Sequence, residues 1–323
     1  MNLNSVVMKD SALFSRREFV KISGMGSLAA LAAPSLAFLE AAKRFKIGST
    51  FILWGYGADH LEPSLRDLSK LGYHAFETFG WVIQQWEDDR GGFEEVVAKY
   101  SVPIVSAFCL NDVLDPSKRS EELKKLQRWA ALLRQSGGKV IEWCPSPVNT
   151  TWRKETNYDY REHKKNIIDS MNEYAKAAAD LGLVCALHPH TGTPIETEEE
   201  VYFAMENVDT RYMKFGPDVG QLQKAQADPV KIVKDFMPLI EHVHLKDFIG
   251  GDNGYLGYAP LGEGTVKLKK ILKMLEARKD EMAGMIMMEL DSDSKIQTPR
   301  TPYQAAESSR NYLSTLGYAF NTP

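Results

Sequence analysis

The chain has 323 residues, 44% of them hydrophobic, 25% charged and 10% aromatic, with a formal net charge of −4. That length and balance support a large buried core and exclude a disordered, collagen-like or disulfide-scaffold protein. Without residues 1–37, the remaining 286 carry 35 basic and 41 acidic groups, net −6. So acidic a body lacks the clustered positive surface that nucleic acid requires, and no nucleic-acid partner is expected. Cys109, Cys144 and Cys185 are odd in number, widely spaced and set in short apolar runs, so they read as core thiols.

The first segment has the layout of an address. Ser15-Arg16-Arg17-Glu18-Phe19-Val20-Lys21 precedes an uncharged stretch to Leu39 that Gly24, Gly26 and Pro34 interrupt. It is too weakly apolar to span a bilayer, so no stable membrane anchor is expected. A basic start, an apolar middle and small residues near 35–37, or less favourably 40–42, fit a signal peptide over residues 1–37. The Arg16-Arg17 pair resembles a twin-arginine signal. That resemblance implies export of the folded chain by the twin-arginine translocase and a periplasmic location.

From residue 45 the chain alternates short apolar runs with helical periodicity. Strands are predicted at 47–53, 75–77, 104–108, 140–142, 184–188, 213–216, 242–245 and 285–289. Helices are predicted at 61–71, 93–99, 121–133, 161–181, 198–205, 229–237, 266–275 and 303–316. The fourth helix is the most regular, with Ile167, Met171, Tyr174, Ala178 and Leu181 every three or four residues. Thr197-Glu198-Glu199-Glu200 has the form of a capping box, and Asp228-Pro229 that of an N-cap before a proline. Eight such units in about 280 residues predict a single-domain (β/α)8 TIM barrel over 45–320. An open doubly wound sheet is disfavoured, because no glycine-rich phosphate fingerprint follows the first strand.

The polar residues of interest end the predicted strands: Glu77, Glu142, His188 and His190, Asp218, His244 with Lys246, and Glu289 with Asp291. In a barrel those ends form one ring around one pocket. His188, Asp218, His244 and Glu289 make a mixed nitrogen and oxygen donor set on successive strands. It suits Mn, Co, Zn or Fe better than Ca or Mg. Trp54, Trp81 and Trp143 also fall at strand ends, where an indole can stack on a sugar ring.

Four ordered segments carry a resemblance. Leu187-His188-Pro189-His190-Thr191-Gly192-Thr193, Asp218-Val219-Gly220, His242-Val243-His244-Leu245-Lys246-Asp247 and Pro260-Leu261-Gly262-Glu263-Gly264 resemble the xylose isomerase-like barrel superfamily, nearest its inosose dehydratase-like branch. The resemblance places a divalent metal on His188, Asp218, His244 and Glu289. It departs from the ketose epimerases at His188, where they carry a glutamate, and at Gln221, where many members have histidine. The implied activity is that of a metal-dependent sugar isomerase or epimerase, removing the proton α to the carbonyl of a keto-sugar or keto-cyclitol. Glu142 and His190 are the candidate bases, Lys246 the group that neutralises oxyanion charge, and Glu289 the remaining carboxylate of an epimerase pair. Glu77, Trp54, Trp143 and Gln221 are candidate substrate residues.

The loss of one carboxylate at His188 favours a dehydratase or lyase, acting by β-elimination on a 3-keto-glycoside or inosose. Export favours an unphosphorylated sugar. The alternatives of another class are a metal-free sugar-binding module and an endonuclease IV-like nuclease. The glycine-rich stretch 250–258 is long enough to close over a ligand, and homo-oligomer formation is left open.

Overall fold

Short apolar runs, buried on both faces, become the eight parallel strands of a closed sheet: β1 (Ile47–Thr50), β2 (Phe76–Phe79), β3 (Ile104–Asn111), β4 (Val140–Pro145), β5 (Val184–Leu187), β6 (Met213–Phe215), β7 (Val243–Leu245) and β8 (Ile286–Met288). The structure, a computed structural model, describes residues 44–147, 154, 157–251, 253–292 and 297–322. The expected leader over 1–37 lies outside the described residues.

Neighbouring strands pair in the order β6-β5-β4-β3-β2-β1-β8-β7. Parallel bridges from Phe215 to Ile240 and from Asp218 to His244 then join β6 to the β7 side. The fold is a single-domain (β/α)8 barrel. Parallel strands need long crossovers, and helices supply them. They are α1 (Leu61–Leu71), α2 (Gly80–Asp89), α3 (Phe93–Tyr100), α4 (Arg119–Gln135), α5 (Tyr160–Asp180), α6 (Glu198–Asn207), α7 (Val219–Lys224), α8 (Pro229–Asp235), α9 (Leu268–Leu275) and α10 (Pro302–Thr315). The Asp159 side chain caps α5, Thr197 and Glu200 form a capping box on α6, and Asp228 caps α8 ahead of Pro229.

Several expectations need correction. The first strand stops at Thr50 rather than at residue 53, because the chain turns through a short 3-10 segment, Ile52–Trp54. Helices α2 and α7 are additional to the predicted set. In α2 only Gly80, Val82 and Ile83 are buried, too few to write a long apolar stripe, and α7 has six residues. Leu181 leaves the buried face of α5 and caps its end at 36% exposure. The glycine-rich stretch after β7 is organised as an antiparallel pair, Asp247–Phe248 with Tyr258–Ala259. All three cysteines are free and buried. Among the described residues, no helix is long and apolar enough to cross a membrane.

Candidate active site

The carboxyl ends of the strands surround a cavity of about 300 Å³. His188, His190, Thr191, Gln221, Lys224, Glu289 and Asp291 line one side of it. Beneath them lie Glu77, Glu142, Asp218, His244 and Lys246, each at most 2% exposed. That many buried ionisable groups are costly unless they neutralise one another or hold a cation.

Asp218 shows how the local sequence builds the centre. It is the N-cap of α7, and its Oδ1 accepts the backbone N–H groups of Gly220 (2.8 Å) and Gln221 (2.9 Å). Its Oδ2 is left turned inward, where its near neighbours are the Lys246 ammonium (2.8 Å) and His188 Nε2 (3.9 Å). His244 Nδ1 and Glu289 Oε2 are buried beside it and face each other at 2.6 Å, and Glu142 Oε2 is buried with no hydrogen bond among the described residues. Glycines permit this crowding. A Cβ on Gly216 would lie 2.3 Å from the Glu142 carboxylate, and one on Gly220 would lie 2.7 Å from the Lys246 chain.

Donor atoms of Asp218, His244 and Glu289, and of Glu142, His188 and His244, all lie within 4.8 Å of one another in each set. His188 Nε2 faces Asp218 Oδ2 at 3.9 Å, and His244 Nδ1 lies 2.6 Å from Glu289 Oε2. Each imidazole has a carboxyl group on its other nitrogen. Glu142 Oε1 is 3.1 Å from His188 Nδ1, and Glu77 Oε1 is 2.8 Å from His244 Nε2. A carboxyl group behind the far nitrogen is how metal-ligating histidines are fixed in tautomer and orientation. The residues therefore fit a divalent ion held by His188, Asp218, His244 and Glu289.

The electrostatics follow the geometry. Burial opposes charge on His244, but the Glu289 and Glu77 carboxylates hold its pKa well above the usual imidazole value. Burial, with His244 nearby, pushes His188 well below it. Burial raises the Glu142 carboxyl well above the carboxylate range, so it stays protonated. Glu77 is lowered, because His244 and His242 outweigh its burial. Lys246 stays charged, since Asp218, Asp291 and Glu289 overcome its desolvation. Its Nζ lies 2.8 Å from Asp218 Oδ2, 3.1 Å from Glu289 Oε2 and 3.0 Å from Asp291.

Residues 65–315 match the sequence profile of the xylose isomerase-like TIM barrel family. The chain belongs to that family. It is 28% identical over 221 residues to an inosose dehydratase of Geobacillus kaustophilus (strain HTA426), covering 63% of this chain and 69% of that one. In fold it is similar to a 3-keto-D-glucoside 4-epimerase of E. coli, with a TM-score of 0.63, 20% identity and coverage of 84% of this chain and all of the other. It is also similar to a xylose isomerase-like TIM barrel protein of Mycobacterium smegmatis in complex with magnesium (TM-score 0.66, 16% identity, 86% and 98% of the two chains).

Within this family barrel, not every candidate faces the cavity. Trp143 is fully buried behind β4, its indole N–H donating to Asn111 (3.0 Å) and its ring against Tyr174. Trp54 sits past the end of β1 and donates to Asp67 (3.0 Å). The expectation that these two meet substrate is corrected, whereas Trp81 does line the cavity. Glu77 lies beneath the floor and positions His244 rather than facing a ligand. Gln221 links the rim. Its Nε2 is 2.7 Å from His190 Nε2 and donates to Asp291 Oδ2 (3.1 Å), and its Oε1 accepts from Thr191 (2.7 Å). His190 Nδ1 donates to the Thr191 carbonyl (2.6 Å), so the His190 lone pair is on Nε2.

Asp247 is structural. Its Oδ1 accepts from Phe248 and Val266 and its Oδ2 from Gly262 and Gly264, at 2.9–3.0 Å. The sequence reading missed Tyr56, Phe79, Phe108, Lys224 and Tyr258 as cavity residues. Tyr258 belongs to the stretch expected to close over a ligand, and its ring covers the Lys246 ammonium at 4.8 Å.

Proposed function

We propose that this chain is a metal-dependent sugar-modifying enzyme that enolises a keto-sugar or keto-cyclitol, with elimination of a β-substituent favoured over epimerisation. The observation that supports it most is the pair of histidine–carboxyl contacts, Glu142 on His188 and Glu77 on His244, which aim two ring nitrogens at Asp218 Oδ2 and Glu289 Oε2. A bound divalent ion supplies Lewis acidity for a ketone oxygen and stabilises the enolate.

The chain's own residues do the rest. His190, kept neutral by burial, lines the cavity with its lone pair on Nε2 and is the group that takes the α-proton. Substrate displaces the Gln221 N–H from that lone pair, and the amide keeps its bond to Asp291. The carbon–oxygen bond β to the carbonyl then breaks, and the departing oxygen recovers the proton. The products of a 3-keto-glycoside are thus an enone and an alcohol, and those of an inosose an enone and water. Lys246, fixed by three carboxylates, offsets part of their negative charge beneath the site. Glu142, protonated and below the floor, orients His188 and is not the base.

Epimerisation needs proton carriers on opposite faces of the sugar, and His188 stands where the second carboxylate would be. The named relatives that are inosose dehydratases support the same choice. Incubating the Mn²⁺-loaded chain with 3-keto-glucosides tests it. Release of the aglycone with an ultraviolet-absorbing enone is expected, and a 4-epimer without aglycone release would refute elimination. We also propose export by the twin-arginine translocase to the periplasm, on the Arg16-Arg17 leader. Replacing both with lysine is expected to retain the chain in the cytoplasm.

A further inference from the structure

The cavity has two unlike halves. The polar half comes from residues 188–291, after β5 to β8. The facing half comes from the first strands and their loops: Ile52, Tyr56, Phe79, Trp81, Phe108 and Leu110. Ile52, Phe79, Phe108 and Leu110 carry no side-chain hydrogen-bonding group. The other two have theirs engaged, since the Trp81 indole N–H donates to the Tyr56 carbonyl (3.1 Å) and the Tyr56 hydroxyl donates to the Ser292 carbonyl (3.2 Å).

The wall is also built as a surface. Phe79 is its centre, stacked on Trp81 (centroids 4.2 Å, 18°) and on Tyr56 (5.9 Å, 8°), with Phe108 edge-on at 5.8 Å. Tyr56 is 43% exposed and continues the apolar face outward to the mouth. A lone Trp would serve to stack one face of a sugar ring, but this wall extends from the floor to the rim.

A free cyclitol or monosaccharide carries hydroxyl groups around its whole ring. With the keto group directed to the polar half, the opposite hydroxyls would meet a wall that offers no side-chain donor and, at the rim alone, one acceptor, the Tyr56 hydroxyl oxygen. Each buried polar group left unpaired costs free energy, whereas an apolar group there is favourable. We infer that the aromatic wall over Tyr56, Phe79, Trp81 and Phe108 is a subsite for an apolar, aryl aglycone. The ligand class is then an aryl glycoside, its sugar ring on the polar half and its aglycone against the wall. This rests on the sugar-modifying reading above and narrows its substrate to a glycoside over a free inosose.

Binding of unreactive ligands separates this inference from catalysis. Phenyl β-glucoside and methyl β-glucoside lack the ketone, so neither turns over, and calorimetric titration of the Mn²⁺-loaded chain gives both dissociation constants. Phenyl β-glucoside is expected to bind at least tenfold more tightly. Phe108→Ala, and Tyr56→Ala at the more exposed rim, are each expected to bring the phenyl-to-methyl ratio toward one. Equal affinities for the two ligands, no binding of either, or variants that weaken both ligands by the same factor would overturn the subsite. Phenyl selectivity without any reaction of 3-keto-glucosides would leave the subsite standing and refute the enolising function instead.

Discussion

Glu77 is the residue whose alteration tests the construction of the centre most sharply. The backbone N–H of Met285 donates to His242 Nδ1 (3.0 Å), which fixes the proton of that ring on Nε2, 3.0 Å from Glu77 Oε2. Ser106 Oγ donates to the same oxygen, and His244 Nε2 lies 2.8 Å from Oε1. The carboxylate therefore faces three donors and needs acceptors on both oxygens. Glu77→Gln keeps the shape but turns an amide N–H₂ toward one of them.

Two consequences follow from that single mismatch. A buried donor left unsatisfied costs about 1–3 kcal/mol of stability, which for a domain of this size lowers Tm by roughly 2–4 °C per kcal/mol. Loss of the carboxylate behind a ligating histidine lowers metal affinity by about 10–100-fold, or roughly 1.4–2.8 kcal/mol. Calorimetric titration of metal-stripped protein with Mn²⁺, beside a thermal melt of the same samples, reads both. A Glu77→Gln chain that binds Mn²⁺ within twofold of the unaltered protein would refute the role given to Glu77.

Three other outcomes follow from the geometry. Gly216→Ala places a methyl group 2.3 Å from the Glu142 carboxylate, which must move off His188, so Mn²⁺ affinity is expected to fall at least tenfold in the same titration. Asp247→Asn strips two of four backbone N–H groups of their acceptor, which costs about 2–6 kcal/mol. Its melting temperature should drop while Mn²⁺ affinity stays within threefold, and a tenfold change in affinity would move Asp247 into the site. Burial lowers the His190 pKa below 6.5, and only the neutral ring accepts a proton, so kcat/KM should fall in acid with a midpoint below that value. An unchanged acid limb in His190→Gln would assign it to another group.

The barrel and the polar residues gathered at one end of it were legible because both follow from the alternation of strand and helix. Apolar runs alternate with helical patterns, and a barrel collects whatever ends its strands, so His188, Asp218, His244 and Glu289 fall together once eight units are counted. Trp143 obeys the alternation of a strand. Side chains alternate along a strand, so with Glu142 inward its neighbour Trp143 points outward to the helices. Trp54 failed for another reason, because the strand ends at Thr50 and the turn that follows carries the indole to Asp67. The aromatic wall left little trace in sequence. Its members come from two strands, a helix and two turns, and nothing in their spacing distinguishes a cavity wall from core.

Proton exchange at the carbon beside the ketone reports metal-dependent enolisation itself. A 3-keto-glucoside incubated in D₂O with the chain, followed by proton NMR before chelation, after chelation and after Mn²⁺ is restored, gives the rate of that step alone. Loss of the α-proton signal is expected with the loaded protein, none above background after chelation, and recovery with the metal. Undiminished exchange after complete removal of metal, or none with the loaded protein, would contradict it.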